Sequence, residues 1–349
     1  MKKVIHFSLF LFCAIAAFSQ SSEKHLTNIR QLTYGGDNAE AYFSPNGKYL
    51  SCQITNPKKN IPCDQIYKID IKKAAKDTAY FPPLISTGDG RTTCSYFMPD
   101  GKSILYASTH KANKACPPPP APREDHKYLW AIYPEFDIYV ADLKGNIIRQ
   151  LTDLSGYDAE ATVSPKGDKI VFTSTRSGDL ELYTMNIDGT NVKQITDELG
   201  YDGGAFFSPD GTKLVYRASR PESPEEEKEY KDLLAQGLVA PTNMEIYVCN
   251  VDGSDKQQIT HLGKANWAPF FHPSGKKVVF SSNHASTKGY DFQLYSMNLD
   301  GTGLEVLTTE SKFNAFPMFS PNGKQLVWSS NRKNHGTRDT NVFIADWKE

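Results

Sequence analysis

Two stretches of the chain place carboxylates at the head of an apolar run. Residues 200–211 read GYDGGAFFSPDG, and residues 156–167 read GYDAEATVSPKG. Asp202 leads the first run, and Asp158 and Glu160 lead the second. A carboxylate there can act as a general acid or base, bind a ligand, or fix the backbone by accepting N–H bonds. Because the pattern recurs, its role has to be judged from all of its copies.

The elements that carry these carboxylates are repeated. One turn motif occurs six times, as FSPNG (43–47), FMPDG (97–101), VSPKG (163–167), FSPDG (207–211), FHPSG (271–275) and FSPNG (319–323). Runs rich in β-branched and aromatic residues flank each copy, which predicts two strands around a hairpin turn. A third such run follows, often ending in a turn such as NIDGT, and then a fourth. Four antiparallel strands at this period predict an all-β, six-bladed β-propeller.

The N-terminal segment is expected to close the ring. The sixth repeat stops after its third strand, and NIRQLT (28–33) matches the fourth strands of other repeats. We expect this segment to pair with the last blade, which removes an open sheet edge. Residues 20–349 then form a single domain.

Alignment on the first residue of the turn motif produces two polar columns. Five positions earlier stand Asn38, Thr92, Asp158, Asp202, Asn266 and Asn314. Thirteen positions later stand Asn56, His110, Arg176, Arg220, His284 and Arg332. Antiparallel strands alternate in direction, so both columns belong to one face of the ring. The insertions fall on the same face, at 110–134, 221–243, 284–290 and 333–339, and insertions gathered on one face mark a binding face.

A polar residue that occurs at the same position in every repeat is best explained by a structural role that all repeats share. An Asp or Asn at a strand start can bond to nearby backbone N–H groups. An Arg or His can tie one blade to its neighbour by a charge-assisted hydrogen bond. We therefore expect structural roles for both columns, and keep as binding candidates Asp158, Asp202, Asn266, Asn314 and His284.

Residues that break the repeat are better candidates for a site. Three positions before the motif, Glu40 and Glu160 stand where other repeats have Cys94, Gly204, Ala268 and Phe316. We call the end of the central channel on the insertion-bearing face the mouth. Arg91 and Trp267 are also expected near it, and neither residue type recurs at the same position of the other repeats. Gly203–Gly204 leave space beside Asp202. Trp267 and Phe316 could form an aromatic platform for a peptide or sugar, or could pack at the axis. Two later loop residues, Arg338 and Asp339, are either binding groups or solvated.

Few signatures of catalysis occur in the sequence. There is no G-x-S-x-G elbow, which argues against a propeller peptidase. Glu40 and Glu160 could be the acid and base of a glycosidase, but they come from the first and third blades, and that chemistry needs a separation of roughly 5–10 Å. The histidines near the mouth are spread over three blades, so we expect no metal site and no cofactor. A net charge of −1 argues against a nucleic-acid partner.

The first nineteen residues read as a secretory signal peptide. Lys2 and Lys3 precede an apolar run from Val4 to Phe18, and small residues stand at the −3 and −1 sites of a cleavage before Gln20. No later run reaches the roughly 18 apolar residues that suggest a membrane helix. We therefore expect a periplasmic or secreted protein.

Export permits disulfide bonds between the remaining five cysteines. We expect Cys94 to pair with Cys116 and Cys52 with Cys63, because one strand end or turn separates each pair. Cys249 lies in an apolar strand and is expected to be free. The alternative is that all five are unpaired core residues, since connectivity cannot be read from sequence.

The repeat resembles that of the TolB family. The shared pattern runs from Q-[LI]-T through F-S-P-D-G to [IL]-Y and x-D-G, and it covers residues 28–349. The resemblance implies a role in envelope integrity or transport, with a partner such as a peptidoglycan-associated lipoprotein. TolB also carries an α/β domain before its propeller, which we do not expect here, because only about eight residues separate the cleavage site from the closing strand.

Together these observations favour an exported, non-enzymatic propeller. It would bind a protein partner or an envelope polymer at the mouth and on the insertion-bearing face. The alternative is a carbohydrate-active enzyme, a polysaccharide lyase or hydrolase, that uses the same mouth.

Overall fold

The computed structural model describes residues 23–121, 123–125 and 127–349. The predicted signal peptide, residues 1–19, lies outside the described residues, as does His126. Within the described part of the chain, six antiparallel sheets of three or four strands follow one another. The prediction of a six-bladed β-propeller is confirmed.

The first three blades run from Asp37 to Gln194. Blade 1 contains β2 (Asp37–Phe43), β3 (Tyr49–Asn56) and β4 (Ile61–Asp70). Blade 2 contains β5 (Thr92–Phe97), β6 (Ser103–Ser108), β8 (Asp137–Asp142) and β9 (Ile147–Gln150). Blade 3 contains β10 (Asp158–Val163), β11 (Lys169–Ser174), β12 (Glu181–Asn186) and β13 (Lys193–Gln194).

The last three blades complete the ring. Blade 4 contains β14 (Asp202–Phe207), β15 (Lys213–Ala218), β17 (Glu245–Asn250) and β18 (Gln257–Gln258). Blade 5 contains β19 (Asn266–Phe271), β20 (Lys277–Ser282), β21 (Gln293–Asn298) and β22 (Glu305–Val306). Blade 6 contains β23 (Asn314–Phe319), β24 (Gln325–Ser330), β25 (Asn341–Trp347) and, from the start of the chain, β1 (Leu26–Gln31).

Hydrogen bonds within the turn motif hold the two inner strands of a blade together. In blade 4 the N–H of Gly211 donates to the carbonyl of Ser208 at 2.8 Å. The Ser208 hydroxyl accepts from the N–H of Lys213 at 2.9 Å. Gly211 has a φ of +67°, which a side chain would strain. The glycine is therefore required by the turn itself, and the serine, where present, adds a hydrogen bond to it.

The N-terminal strand closes the ring, as predicted. β1 pairs antiparallel with β25, with Leu26 opposite Trp347. The residue Glu23, before the strand, accepts two hydrogen bonds from the buried Arg332 guanidinium, at 3.0 and 3.1 Å. The first and last strands of the domain are therefore held in one sheet.

A threonine after the fourth strand locks that strand to the third. The Thr33 hydroxyl accepts the buried N–H of Val342 at 2.9 Å, and the Thr196 hydroxyl accepts that of Leu182 at 2.8 Å. The same bond recurs in blades 2, 4 and 5. A buried N–H needs a partner, which explains the threonine of the repeated Q-[LI]-T pattern.

Blade 1 departs from the four-strand prediction. Among the described residues its sheet contains only β2, β3 and β4, and a single bridge from Leu84 to Tyr67 takes the fourth position. Pro82 and Pro83 come directly before Leu84. Because proline has no backbone N–H, this segment follows β4 without extending the sheet.

The cysteine pairing also differs from the prediction. Cys63 is bonded to Cys116, with Cα atoms 5.7 Å apart, while Cys52 and Cys94 are free. Cys94 faces the channel from an innermost strand, and Cys52 lies opposite Tyr67 on β4 rather than opposite Cys63. The predicted pairs were wrong because closeness in sequence did not become closeness in space. The actual bond ties the insertion after β6 to blade 1.

The insertions of blades 2 and 4 fold against each other. β7 (Trp130–Ala131) and β16 (Leu238–Val239) pair antiparallel, and we call this pair the insertion sheet. The helix α2 (Pro224–Leu234) precedes β16, and Ser223 caps it by accepting the N–H of Glu226 at 3.2 Å. A short helix α1 (Ile71–Ala74) and a 3₁₀ turn (Pro57–Lys59) belong to blade 1.

No helix in the described part of the chain combines the length and the apolar composition needed to cross a bilayer.

The ring-closing threonine provides a test of the closure. Thr33→Val removes the acceptor for the buried Val342 N–H, so we expect the free energy of unfolding to fall by about 1–3 kcal/mol. Thr27→Val is the matched control, because the exposed Thr27 hydroxyl bonds only to the carbonyl of Asp346 and should change stability by less than about 0.5 kcal/mol. Urea unfolding measures both variants. Equal effects of the two substitutions would contradict a locking role for Thr33.

Candidate functional site

A bulge interrupts every innermost strand at the same height. The register of each inner pair shifts at this point, between Ala39 and Tyr42 in blade 1 for example. The bulged residue has a left-handed backbone in all six blades, with φ between 48° and 60°. These residues are Glu40, Cys94, Glu160, Gly204, Ala268 and Phe316. All six line one cavity on the channel axis.

Aromatic side chains divide the channel into two cavities. Tyr42 packs on Phe206 with ring centroids 5.5 Å apart, and Phe206 packs on Phe270 at 5.2 Å. On the insertion-bearing face lies a cavity of about 410 Å³, which we call the mouth cavity. A second cavity of about 430 Å³ opens on the other face, among the prolines of the turn motifs. The channel is therefore blocked at its centre, and the mouth cavity is a closed-ended pocket.

A buried ion pair, in which both carboxylate oxygens accept hydrogen bonds, forms one wall of the mouth cavity. Glu160 is paired with the Arg217 guanidinium. It also accepts hydrogen bonds from the Tyr201 hydroxyl at 2.8 Å, the Thr173 hydroxyl at 2.7 Å and the N–H of Gly204 at 2.9 Å. Burial opposes ionisation, but Arg217 and these hydrogen bonds outweigh it and hold the pKa of Glu160 below its ordinary value. Glu160 is a fixed anion with both oxygens engaged, which argues against a role as general acid or base.

The paired glycines of blade 4 make room for this ion pair. A Cβ atom at Gly203 would clash with a carboxylate oxygen of Glu160. A Cβ atom at Gly204 would clash with the Arg217 guanidinium. The space that the glycines leave is therefore occupied by protein groups and is not itself the cavity.

Glu40 is the unsatisfied carboxyl of the cavity. Its Oε2 atom is buried without a hydrogen-bond partner. Burial raises the pKa of Glu40 to about 7. The negative charge of Glu160 adds to this effect, whereas a hydrogen bond from Cys94 and the positive charge of Arg217 oppose it. Glu40 therefore changes its charge near neutral pH, unlike Glu160.

A second ion pair lies on the other side of the cavity. The Arg91 guanidinium contacts Asp64 at 2.5 Å and stacks over the Tyr133 ring at 5.8 Å. It also lies 3.8 Å from the sulfur of Cys116, in the disulfide. The insertion after β6 is thus attached to the rim of the cavity by both a covalent bond and a cation–π contact.

Aromatic residues of the insertion sheet and of blade 5 form the remaining wall. Trp130 packs against Trp267 with tilted rings whose centroids are 5.2 Å apart, and the Arg217 guanidinium lies over the Trp130 ring at 5.2 Å. Trp267 is only 7% exposed and donates its indole N–H to the carbonyl of Pro241 at 2.8 Å. Tyr128, at the rim, is 58% exposed. Trp267 therefore anchors the wall, and Tyr128 is free to meet a ligand.

The two polar columns lie behind the cavity and not in it. Arg176 donates two 3.0 Å hydrogen bonds to Asp158, and Arg220 contacts Asp202 at 2.5 Å. Each pair joins two strands of one blade, which differs from the expected tie between neighbouring blades.

The remaining column candidates are engaged in the same way. Asn266 donates to the carbonyl of Met244 at 2.8 Å. Asn314 accepts from the buried indole of Trp328 at 3.1 Å. His284 packs on Tyr295 at 4.6 Å. None of the column candidates lines the mouth cavity.

The two loop candidates are also outside the mouth cavity. Asp339 accepts the N–H of Gly36 at 3.1 Å, which supports the turn before β2. Arg338 is exposed. Of the residues proposed from sequence, the structure therefore brings Glu40, Arg91, Glu160, Trp267 and Phe316 together and leaves the others apart.

Two further charged residues line the cavity, Arg217 and Asp64, and neither was predicted from the sequence. Arg217 stands ten positions after the motif residue, where the other repeats have Gln53, Ala107, Thr173, Ser281 and Ser329. The available signal was a lone arginine in that column, in the repeat that also carries Gly203-Gly204. Asp64 could not be recognised as an exception, because it lies in the irregular part of the first repeat, which does not align with the other repeats.

The side chains present do not form a metal centre. Among the described residues no group of three or more His, Cys, Asp or Glu side chains is placed to hold a metal ion. His110 packs on Tyr139 at 4.4 Å within its own blade and does not line the cavity. The chemistry offered is that of a recognition pocket, with aromatic walls, two neutralised arginines and one protonatable carboxyl.

The raised pKa of Glu40 predicts a pH dependence of stability. Between the ordinary pKa of 4.5 and the folded value of about 7, the folded protein binds more protons than the unfolded chain, so stability falls as pH rises through this range. Glu40→Gln stays neutral and should remove a fall of roughly 3 kcal/mol between pH 5 and pH 8. Urea unfolding at both pH values measures it. Glu225→Gln, at an exposed helix position, is the control, and a slope in Glu40→Gln equal to that of the control would refute the assignment.

The blade 4 glycines predict a second stability effect. Gly204→Ala would displace the Arg217 guanidinium and break a buried ion pair, which costs about 3–5 kcal/mol. Gly211→Ala is the matched control, because its φ of +67° is similar but its Cβ would meet only the flexible Lys166 side chain. We expect that control to cost about 1–2 kcal/mol. Thermal and urea unfolding compare them, and equal costs would show that Arg217 does not depend on the space at Gly204.

Comparison with known families agrees with this architecture. The sequence model of the family described as the TolB beta propeller domain matches residues 133–225 and 231–347, more than half of the chain. A search of curated proteins finds no significant match.

Comparison with solved structures shows the same fold. The chain is similar to a putative TolB from Agrobacterium tumefaciens, with a TM-score of 0.57 and 21% identity over 92% of this chain and 97% of that one. It is similar to TolB from Acinetobacter baumannii, with a TM-score of 0.54 and 19% identity, over 90% of this chain and 64% of that one. An oligogalacturonate lyase from Vibrio parahaemolyticus has a TM-score of 0.51 and 15% identity, over 91% and 80% of the two chains.

Proposed function

We propose that this chain, which belongs to the TolB β-propeller domain family, is an exported, non-enzymatic protein that binds a segment of a cell-envelope protein in its mouth cavity. The observation that carries the proposal is the cavity itself. Its volume of about 410 Å³ lies within the usual range for a ligand pocket. Its singular residues converge there, while the repeated polar residues lie behind it.

The character of the walls favours a peptide segment. Tyr128, Trp130 and Phe316 offer aromatic surface, and aromatic residues dominate the energetics of protein interfaces. Both arginines of the cavity are paired with carboxylates, so neither supplies an unpaired positive charge. A partner segment would bury side chains against rigid walls that are already formed.

The envelope setting rests on resemblance. Two of the similar structures are named TolB, and the predicted signal peptide directs the chain to the periplasm or beyond. A peptidoglycan-associated lipoprotein is one partner that fits this setting.

The alternative is a polysaccharide lyase, which is suggested by the structural similarity to an oligogalacturonate lyase. An oligogalacturonate is polyanionic, and its binding calls for unpaired cationic groups. The mouth cavity instead has three carboxyls, on Glu40, Asp64 and Glu160, against two guanidinium groups. The charge balance favours the binding role over this activity.

Two exposed tyrosines provide a matched test of the mouth. Tyr128 is 58% exposed and lines the cavity, whereas Tyr290 is 61% exposed in another insertion and does not line it. Tyr128→Ala should reduce recovery of an envelope partner in a pull-down at least tenfold, equivalent to about 1.4 kcal/mol. Tyr290→Ala should leave recovery unchanged. Equal recovery with both variants would show that the mouth is not the binding surface.

A further inference from the structure

One edge of the insertion sheet has unpaired backbone groups. The N–H of Ile132, next to β7, donates to the carbonyl of Gly237, next to β16, at 2.7 Å, so the N–H of Ile132 points toward the paired strand. In an antiparallel ladder the backbone groups of successive residues point alternately toward the partner and away from it. Those of Leu129 and Ala131 therefore point away from β16. Within the described residues, neither Leu129 nor Ala131 makes a backbone hydrogen bond on that side.

The strand that carries this edge borders the mouth cavity. Residues 128–133 all line the cavity, whereas neither residue of β16 does. Leu129 and Ala131 are partly exposed. An edge of this kind is a template for another strand, and proteins usually cover or block such edges.

A proline run lines the same cavity and, within the described residues, makes no backbone hydrogen bond to this edge. Pro119 and Pro120 line the same cavity, and the Tyr133 hydroxyl holds this run by donating to the carbonyl of Pro118 at 2.7 Å. Proline has no backbone N–H, so the run cannot pair with β7 through such donors. The backbone donors and acceptors of Leu129 and Ala131 therefore have no partner in this run of described residues.

The charges of the cavity indicate what the ligand should carry. The three carboxyls outnumber the two guanidinium groups by one. Glu160 and Asp64 already have their arginines, and the carboxyl without one is Glu40, whose Oε2 lacks any partner. Arg217 lies over Trp130 of β7 at 5.2 Å, so strand edge and carboxyls belong to one cavity. A cationic side chain complements this set.

We propose that an extended segment of a protein partner adds as a strand to the free edge of β7 and directs a lysine or arginine side chain toward Glu40. Main-chain hydrogen bonds to Leu129 and Ala131 supply affinity, and the acidic excess supplies selectivity, as in other strand-addition complexes. The proposal rests on the mouth being the binding site and specifies how the partner is held.

Amide exchange provides the direct test. Residues 20–349 are mixed with a pool of capped random heptapeptides that share a central lysine, or with a pool that shares a central glutamate, and exchange is followed by NMR at each residue. With the lysine pool we expect exchange at the Ala131 N–H to slow at least tenfold. The Leu238 N–H should be unchanged, because Leu238 is opposite Ala131 and its N–H points away from β7. At the same peptide concentration, the glutamate pool should slow exchange at the Ala131 N–H by less than a third of the factor seen with the lysine pool.

A variant separates strand addition from binding in general. Ala131→Pro removes the free N–H without removing a bond between β7 and β16, and should weaken lysine-pool binding at least tenfold. Leu238→Pro is the matched control on the outer strand. Both variants are checked for an unchanged Ile132 amide, whose protection reports the intact insertion sheet.

Several results would overturn the proposal. Binding of the lysine pool with no slowing at Ala131 would exclude strand addition, and equal protection by both pools would exclude the cationic side chain. Protection of Ala131 that rises with protein concentration in the absence of peptide would identify a second copy of the chain as the occupant. If Tyr128→Ala abolishes partner recovery while Ala131→Pro does not, the proposed function stands and strand addition fails. Absence of binding by both pools would also count against it.

Discussion

The left-handed bulge in each innermost strand is the constraint on which the site depends. It places one residue per blade on the channel axis, at one height, whatever that residue is. A left-handed backbone costs roughly 1–2 kcal/mol for a residue with a Cβ atom, and only blade 4 avoids this cost, with Gly204. The fold therefore decides where six side chains meet, and each repeat decides which side chain it supplies.

Around this ring, neighbouring blades cooperate across the axis. Blade 3 supplies Glu160, blade 4 supplies Arg217 and the room for it, and the insertion sheet covers the pair with Trp130. Closure of the ring by β1 keeps blades 1 and 6 adjacent, so Glu40 and Phe316 are held at neighbouring positions of the same cavity. The result is a pocket in which, among the described carboxyls of its lining, Glu40 is the one that forms no salt bridge.

The periodic parts of the sequence were enough to predict the fold, because every blade repeats the same turn and inner strands, and five of the six repeat the same fourth strand and threonine. They were also enough to separate Glu40, Glu160, Trp267 and Phe316 from the repeated background, since an exception can be seen only against a repeat. The columns predicted structural roles for Asp158 and Asp202, but not the partners: each carboxylate pairs with an arginine of its own blade rather than with backbone N–H groups. The Cys63–Cys116 bond and the position of Asp64 could not be predicted, because they depend on how an insertion folds back across another blade.

The central claim is that a partner enters the mouth cavity rather than the cavity on the opposite face. Photo-crosslinking compares the two faces directly. A benzoylphenylalanine replaces Phe316 on the axis of the mouth, or Lys324 beside a turn of the opposite face, and each protein is irradiated in an envelope extract. The account predicts a crosslinked partner from position 316 and none from position 324. Crosslinking from position 324 alone would contradict it.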